Sequence, residues 1–197
     1  MITNFFNGHD YFIDQKVNFF KFANTYKVFN EQGAQIGAVQ QKLTTGQKIL
    51  RLFVGKPALP FKLEIVDQNE QVQATISRGW TFFMSKILVH DANGADVAII
   101  KQKFKFFKPT FKIEDTTGLL IAEITGDWKA WNFSIKDGQG LSIGSISKRW
   151  AGAMKEIFTT ADKYNVHIEP TYTQTKHRIA IISAAITIDM VLKESSK

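Results

Sequence analysis

Residues 87–107, ILVHDANGADVAIIKQKFKFF, contain two apolar runs separated by a short polar turn. Ile87 and Val89 precede the turn at alternate positions, which places both side chains on one face of a strand. Gly94 follows Asp91 by three residues, where a tight hairpin turn requires a positive φ. The stretch therefore predicts an antiparallel β-hairpin with one buried face.

The same pattern occurs five times, with turns that begin at Asn30, Asp67, Asp91, Asp115 and Asp137, the last four spaced by 24, 24 and 22 residues. Gly33, Gly94, Gly118 and Gly140 stand three residues after the turn start, with Glu70 as the exception. Four other positions are apolar in every copy: Tyr26, Leu63, Ile87, Phe111 and Phe133 four before the start; Val28, Ile65, Val89, Ile113 and Ile135 two before; Val39, Ile76, Ile100, Ile124 and Ile146 nine after; and Leu43, Trp80, Phe104, Trp128 and Trp150 thirteen after. This regularity is typical of an internal structural repeat.

Half units flank the five hairpins. Residues 15–21 resemble residues 102–108, the outgoing strand of a hairpin, and residues 164–169 alternate like an incoming strand. Residues 47–60 fill the wider interval between the first two turns, where we predict a longer connection. Five hairpins and two half units give twelve strands, and pairing of the halves would close the sheet and remove its edges.

The segment 178–192, RIAIISAAITIDMVL, is apolar on every side of a helical wheel and must be buried in protein or lipid. Its length of about 22 Å is short for a bilayer, and Asp189 would add a costly charge there. We therefore predict one domain over residues 1–197, with its core at about 11–192. It is an all-β fold with one helix, a closed 12-stranded antiparallel β-barrel built from repeated hairpins around a buried C-terminal apolar helix.

Composition restricts the function further. The chain has no cysteine, which excludes disulfides and thiolate chemistry, and its first residues lack the pattern of a signal peptide, so we expect a cytoplasmic protein. The formal charge of +7 has two interpretations. It either favours polyanions, such as phospholipid headgroups, nucleic acid or an acidic protein, or it merely keeps the domain soluble.

Two stretches carry a resemblance to a known family. Residues 87–107 and residues 143–192, which include IGSISKRW, KEIFTTADKYNVHIEP and AITIDMVL, resemble the tubby-like C-terminal domain superfamily. Within it the chain is similar to phospholipid scramblases and LURP-one-related proteins, and most to the short LURP-one-type proteins. The resemblance implies a 12-stranded barrel around a central helix, in a family linked to lipid movement, phosphoinositide binding and transcription-related roles.

The chain also departs from complete scramblases. It lacks their cysteine cluster for lipid attachment and their proline-rich N-terminal region. Where scramblases carry an acidic calcium segment, residues 171–174 read TYTQ, and Asp162 is the nearest upstream carboxylate. Calcium needs six to eight oxygen ligands, so we expect no metal site, and no cofactor is indicated.

No motif predicts catalysis. Ser142 lies in a G-x-S-x-G sequence, but on an outgoing strand of the repeat instead of a strand-to-helix turn. The histidines, His9, His90, His167 and His177, are scattered; His167 and His177 could approach each other without a third ligand. The acidic stretch at Asp91 is explained by hairpin chemistry, because Gly94 does not match the calcium-loop spacing. We predict no catalytic residue and no enzyme.

The basic residues form the candidate binding site. Lys101, Lys103 and Lys105 alternate on one strand face, outward if Ile100 points inward, although Gln102 then shares the inner face. We predict a polyanion site made by Lys101, Lys103, Lys105, Lys108, Lys16, Lys21, Lys148 and Arg149 on neighbouring strands; the alternative is a solvated barrel exterior. Trp80, Trp128 and Trp150 occupy the repeat's apolar register, which favours core or rim packing, whereas Trp131 is the candidate exposed aromatic.

These observations favour a non-enzymatic binding module for anionic phospholipid headgroups or another polyanion. Its expected partner is an anionic membrane surface or a phosphoinositide-like headgroup, bound peripherally at the inner membrane by a monomer without a transmembrane span. The alternatives are a structural or protein-interaction domain, lipid scrambling, and nucleic-acid binding. For the last we find no recognition helix or exposed aromatic platform.

Overall fold

The computed structural model describes residues 4–16, 25–42, 60–80, 86–103, 109–127, 129–148 and 163–195, of which residues 15, 16, 25 and 192–195 are described by their backbone alone. These ranges contain a short 3-10 turn, Asn4–Asn7, twelve strands and a C-terminal helix, Thr175–Ser195. The strands are β1 Asp10–Lys16, β2 Thr25–Phe29, β3 Gln35–Lys42, β4 Phe61–Asp67, β5 Val72–Arg78, β6 Lys86–Asp91, β7 Asp96–Lys103, β8 Thr110–Glu114, β9 Leu120–Asp127, β10 Asn132–Asp137, β11 Ser142–Ser147 and β12 Lys163–Ile168.

The twelve strands form a closed antiparallel barrel in which each strand pairs with its neighbours in the chain and β1 pairs with β12. The predicted closure by two half units is confirmed, with Asp10 opposite His167 and Asp14 opposite Lys163. β1 begins at Asp10, five residues before the predicted half unit at residues 15–21, of which residues 17–21 lie outside the described residues. Of the predicted connection at residues 47–60, only Pro60 is described.

The hairpin register is confirmed in all five copies at three of its four apolar positions; of the fourth, only Trp80 is described. The apolar residues four before, two before and nine after each turn start are at most 1% exposed. Gly33, Gly94, Gly118 and Gly140 have φ between 76° and 91°. Glu70, the exception in sequence, adopts φ 59°, so the turn conformation overrides the strain that a side chain adds there. A register shift beside every turn identifies a type I turn with a β-bulge.

The C-terminal helix lies inside the barrel and extends the predicted segment by three residues at each end. Residues Ala180, Ile181, Ala184, Ala185 and Ile186 are fully buried. The helix is apolar all round because the barrel wall surrounds it, as the sequence predicted. Thr187 satisfies its hydroxyl within the helix, donating to the Ser183 carbonyl at 2.8 Å.

Candidate functional site

Antiparallel strands sort the connections of the barrel into two ends. The turn end carries the five tight turns, residues 30–34, 67–71, 91–95, 115–119 and 137–141, together with the start of β1 and of the helix. The loop end carries the other connections, residues 17–24, 43–60, 79–85, 104–109, 128–131 and 148–162. Every residue of the predicted polyanion site belongs to the last part of an odd-numbered strand or to a loop-end connection.

The two ends have opposite composition. The five tight turns contain six acidic residues, no Lys or Arg, and no aromatic residue. The loop-end connections contain ten Lys or Arg, two acidic residues and fourteen Phe or Trp. In the sequence, basic and aromatic residues are therefore concentrated in the loop-end connections, where Lys129, Lys148, Trp80 and Trp131 belong to the described residues. Basic and aromatic residues together are typical of surfaces that contact the membrane–water interface.

Lys101 and Lys103 lie on the outer face of β7, as predicted. Lys101 Nζ lies 2.5 Å from Glu114 Oε2 on β8, so its charge is already paired. Lys103 is the last residue of β7 and is exposed. Gln102, between them, is 8% exposed and shares the inner face with Ile100, so the departure from strict alternation noted in the sequence is real.

Lys148 follows β11 and places its Nζ 4.7 Å from the ring centroid of Trp131, a cation–π contact. The prediction for Trp131 is wrong: it packs on the core, with its ring centroid 5.3 Å from that of Tyr164. Trp131 lies in the turn before β10 and adopts a positive φ of 49°. Trp80, predicted to be packed, is 55% exposed because its register position falls beyond the end of β5. Trp128 and Trp150 lie outside the described residues.

The remaining predicted residues are only partly described. Lys16 is the last residue of β1, described by its backbone, and Lys21, Lys105, Lys108 and Arg149 lie outside the described residues. The carrier strands β1, β7 and β11 are not neighbours, contrary to the prediction. Four strand spacings, about 19 Å, separate β7 from β11. The described basic residues are therefore spread around the loop end.

A buried polar layer, not predicted from the sequence as a set, lines the barrel interior near the loop end. Its members are Tyr26, Gln41, Arg78, Gln102 and Tyr164 on the wall and Asp189 on the helix, all at most 8% exposed. Burial raises the pKa of Tyr164 well above its usual value, and the negative charge of Asp189 raises it further. The Arg78 guanidinium lies 4.7 Å from the Phe61 ring centroid. Two features of the sequence pointed to this layer: Gln102 on the apolar face of a strand, and Asp189 in the apolar helix.

Acidic residues at the turn end are used in the turns themselves. The first side chain of each turn accepts the backbone N–H groups two and four residues later; in the Asp91 turn these belong to Asn93 and Ala95, at 2.9 and 3.0 Å. A hydrogen bond from Thr117 lowers the pKa of Asp115 in the same arrangement. The interpretation of Asp91 and Gly94 as hairpin chemistry is confirmed.

Arg178 lies buried at the turn end of the barrel, near the start of the helix. This guanidinium is 3% exposed and donates to the carbonyls of Phe6 at 2.7 Å, Tyr172 at 2.9 Å and Gly8. The contacts tie the 3-10 turn Asn4–Asn7 to the first turns of the helix, so the helix start is covered by the N-terminal segment. A charged donor that satisfies three carbonyls is a strong tether.

The histidines and Ser142 have structural surroundings. His167 Nδ1 lies 3.0 Å from Asp10 Oδ1, whereas His177 Nδ1 contacts the Tyr172 hydroxyl at 2.7 Å, so the two histidines have different partners. Ser142 begins β11 and is exposed, without the following helix that a nucleophile elbow needs. Among the described residues, no group of three or more His, Asp or Glu side chains could hold a metal ion.

The fold and the sequence comparisons define the class of the protein, a twelve-stranded barrel around a central helix. Residues 15–195 match the Scramblase family, and the chain belongs to this family. The resemblance seen in the sequence is thereby confirmed. Within the described residues, no helix combines the length and the apolar character needed to span a membrane.

Several curated relatives are similar to the chain. It is 27% identical to human "Phospholipid scramblase family member 5" over 68% of the chain and 54% of the relative. It is 25% identical to human "Phospholipid scramblase 1" over 71% and 48%, respectively. It is 21% identical to "Altered inheritance rate of mitochondria protein 25" of Saccharomyces cerevisiae over 85% and 60%. The chain thus spans about half the length of the curated relatives it matches. No solved structure matches it significantly.

Proposed function

We propose that this domain is a non-enzymatic binding module whose loop end contacts membranes that contain anionic phospholipids. The observation that carries the proposal is the separation of ten basic and fourteen aromatic residues to the loop end, in a chain of the scramblase family. The expected location is peripheral, on the anionic leaflet that faces the cytoplasm.

Electrostatics sets the orientation. Each Lys or Arg near an anionic surface contributes about 1 kcal/mol of binding free energy. Phe and Trp side chains add affinity by entering the interface beside these cations. The turn end, with six acidic residues in its turns, would be repelled by the same membrane. The charge distribution therefore favours approach along the barrel axis with the loop end first.

The predicted residues do not contribute equally to this proposal. Lys101 is paired with Glu114, so its net attraction to phosphate is reduced. Lys148 is held over Trp131, and this pair could meet a headgroup together. Lys103 is exposed at the end of β7, directly before the segment that contains Lys105 and Lys108. We assign the largest contribution to Lys103, Lys105 and Lys108.

Flotation of the protein with vesicles tests the proposal. The protein should float with vesicles of phosphatidylcholine and phosphatidylserine and remain unbound with phosphatidylcholine alone. The double variant Lys103→Glu/Lys105→Glu should lower partitioning to anionic vesicles at least ten-fold, since two attractive charges become repulsive.

Lys136→Glu/Lys176→Glu is the matched control. It makes the same charge change at two exposed positions towards the turn end, and it should retain most of the binding. Equal losses in the two variants would mean that net charge alone drives binding. Equal recovery of the unmodified protein with neutral and anionic vesicles would contradict the proposal and favour a protein-interaction domain.

Lipid scrambling is the second candidate function, favoured by the names of the relatives. We expect no exchange of fluorescent lipid between leaflets in reconstituted vesicles, because the apolar helix is packed inside the barrel and offers no lipid path. Exchange well above that of protein-free vesicles would make scrambling the activity of the domain.

A further inference from the structure

Three lysines lie side by side on the outer wall of the barrel, at β6, β7 and β8. Lys86 is directly opposite Lys101 on the neighbouring strand, and Lys101 is directly opposite Lys112 on the next. A buried residue follows each of them along its strand, so all three side chains point outward. Opposed residues on adjacent strands have Cα atoms about 5 Å apart. These residues, the lysine row, therefore attach three positive side chains to about 10 Å of wall.

The lysine row is costly in the free protein, because like charges directly opposite each other on adjacent strands are destabilising. Two glutamates reduce this cost. Lys101 Nζ lies 2.5 Å from Glu114 Oε2, and Lys112 Nζ lies 3.7 Å from Glu123 Oε2. Lys86 is exposed, and no carboxylate of the described residues forms an ion pair with it. The row thus keeps a net positive charge, and each ammonium, with three donors, retains donors for a further acceptor.

An exposed apolar pair lies beside the lysine row. Leu88 follows Lys86 by two residues on the same outer face of β6 and is 41% exposed. It is directly opposite Ile99 of β7, which is half-buried. The other exposed large apolar side chains of the described residues lie in turns or beyond a strand end. Leu88 therefore makes this wall apolar as well as basic, a combination that favours contact with another molecule.

Opposed lysines alone do not distinguish this wall. Lys42 on β3 is directly opposite Lys62 on β4, and both pair with Glu64, at 3.6 and 3.2 Å. The described residues of β3 and β4 include no exposed large apolar side chain. The apolar pair next to the lysine row is therefore the feature that separates the two surfaces, and the β3–β4 lysines serve as a matched control.

The two chemistries together select an acidic segment of a protein. Leu88 is about 6.6 Å from the lysine row along β6, and alternate side chains of an extended segment have the same spacing. A carboxylate and an apolar side chain two residues apart would therefore meet both features at once. A phosphate backbone gains nothing from an aliphatic pair, and single-stranded nucleic acid binds through aromatic stacking. A membrane that meets the loop end leaves this wall facing sideways.

We propose that the β6–β8 wall, formed by the lysine row with Leu88 and Ile99, binds an acidic segment of a partner protein. Carboxylates of the segment pair with Lys86 and Lys112, and an apolar side chain two residues away covers Leu88. Binding at this wall leaves the loop end free. The proposal goes beyond membrane contact and does not depend on it.

Titration of the ¹⁵N-labelled protein with a short peptide, in which one Leu is flanked on each side by three Glu, tests the inference. We expect saturable shifts of the backbone amides of Lys86, Leu88 and Lys112. The dissociation constant should be about 0.1–1 mM at low salt, since a few exposed ion pairs and one apolar contact supply the free energy. Absence of saturable shifts up to about 5 mM peptide, or shifts confined to other strands, would overturn the proposal.

Two pairs of opposed or aligned lysines provide matched variants. Lys86→Gln/Lys112→Gln should weaken binding of the peptide at least about five-fold, the loss of two exposed ion pairs. Lys42→Gln/Lys62→Gln makes the same charge change on the β3–β4 wall and should leave the affinity unchanged. Equal losses in the two variants would reduce the effect to net charge and overturn the assignment.

The apolar contact has its own test. Leu88→Ser should weaken peptide binding about five-fold, because the segment loses roughly 1 kcal/mol of apolar burial. Leu119→Ser, the same change at an exposed leucine in the β8–β9 turn, should have no effect. A peptide with Ser in place of its Leu should bind the unmodified protein about five-fold more weakly. Equal affinity for the two peptides would contradict the proposed occupant.

Two further measurements separate this proposal from other anionic partners. Oligothymidine of the same charge should bind more weakly than the peptide, and tighter binding at the lysine row would replace the protein segment by nucleic acid. In vesicle flotation, Lys86→Gln/Lys112→Gln should retain most of the binding that Lys103→Glu/Lys105→Glu loses. Equal losses there would assign the wall to the membrane contact and overturn the proposal. Peptide binding by a protein that fails to float would refute membrane contact alone.

Discussion

The two ends of the barrel are built from the same repeat and have opposite properties. At the turn end, five turns of one geometry, each capped by its first Asp or Asn, and the Arg178 tether hold the chain in fixed positions. At the loop end, connections of different lengths carry the basic and aromatic residues. The repeat therefore keeps one turn geometry at the turn end, whereas the connections at the loop end vary in length and composition.

The largest expected effect concerns the tether at the turn end. Arg178→Leu should lower the free energy of unfolding by about 3 kcal/mol, because buried carbonyls of Phe6 and Tyr172 lose a charged donor. Urea denaturation measures this loss. Lys176→Leu, an exposed neighbour on the same helix, should change stability by less than about 0.5 kcal/mol. Similar losses of stability in the two variants would show that the Arg178 hydrogen bonds do not stabilise the turn end.

A second test examines the close packing of β3 against β4 at the turn end. A Cβ at Gly37 would lie 2.1 Å from the Val66 carbonyl oxygen. Gly37→Ala should therefore lower the free energy of unfolding by about 2 kcal/mol through forced displacement of β4. Gly79 lies after β5, near the loop end, and a Cβ there has no atom within 4 Å. Gly79→Ala should be close to neutral in the same urea experiment, and a comparable loss would contradict the contrast.

A third test compares exposed apolar side chains at the two ends of the barrel. Trp80 is 55% exposed at the loop end, and Leu141 is 62% exposed at the turn end. Trp80→Ser should reduce partitioning to anionic vesicles about five-fold, the loss of roughly 1 kcal/mol of interfacial burial. Leu141→Ser should have no effect on flotation. A larger loss for Leu141→Ser would mean that the turn end faces the membrane.

The smallest effect is a pH dependence at the turn end. Burial lowers the pKa of His177, although the negative charge of Asp115 opposes the shift. A depressed pKa means that the unfolded state binds the proton more tightly, so stability is lost as pH falls below about 6.5. His177→Gln should make the melting temperature decrease less between pH 7.5 and pH 5 than in the unmodified protein.

His90→Gln provides the matched control, since His90 lies in another hairpin with Asp96 as its partner. If the His177 variant shows the same loss of melting temperature as the unmodified protein, protonation of this residue does not contribute to acid sensitivity. The partner hydroxyl of Tyr172, whose pKa burial raises to about 12, stays protonated throughout the experiment.

Strand register, closure and the buried helix were predictable because each depends on local periodicity. Val89 and Ile100 lie on the same face of the hairpin because side chains alternate along each strand. Gly94 predicts the turn because the turn needs a positive φ at that position. The exposure of Trp80 and the packing of Trp131 were not predictable, since both depend on where a strand ends and on contacts with a distant strand through Tyr164.

The pairing of β1 with β12 has a consequence for how the protein is made. Asp10 and His167 are 157 residues apart, and Arg178 reaches back 172 residues to Phe6. Such distant contacts slow the search for the native state, and on the ribosome the last strand and the helix that fills the interior emerge after all other strands. An intermediate without the last strand and the helix therefore exposes the apolar interior of the sheet and two unpaired strand edges, which favours aggregation until both elements are in place.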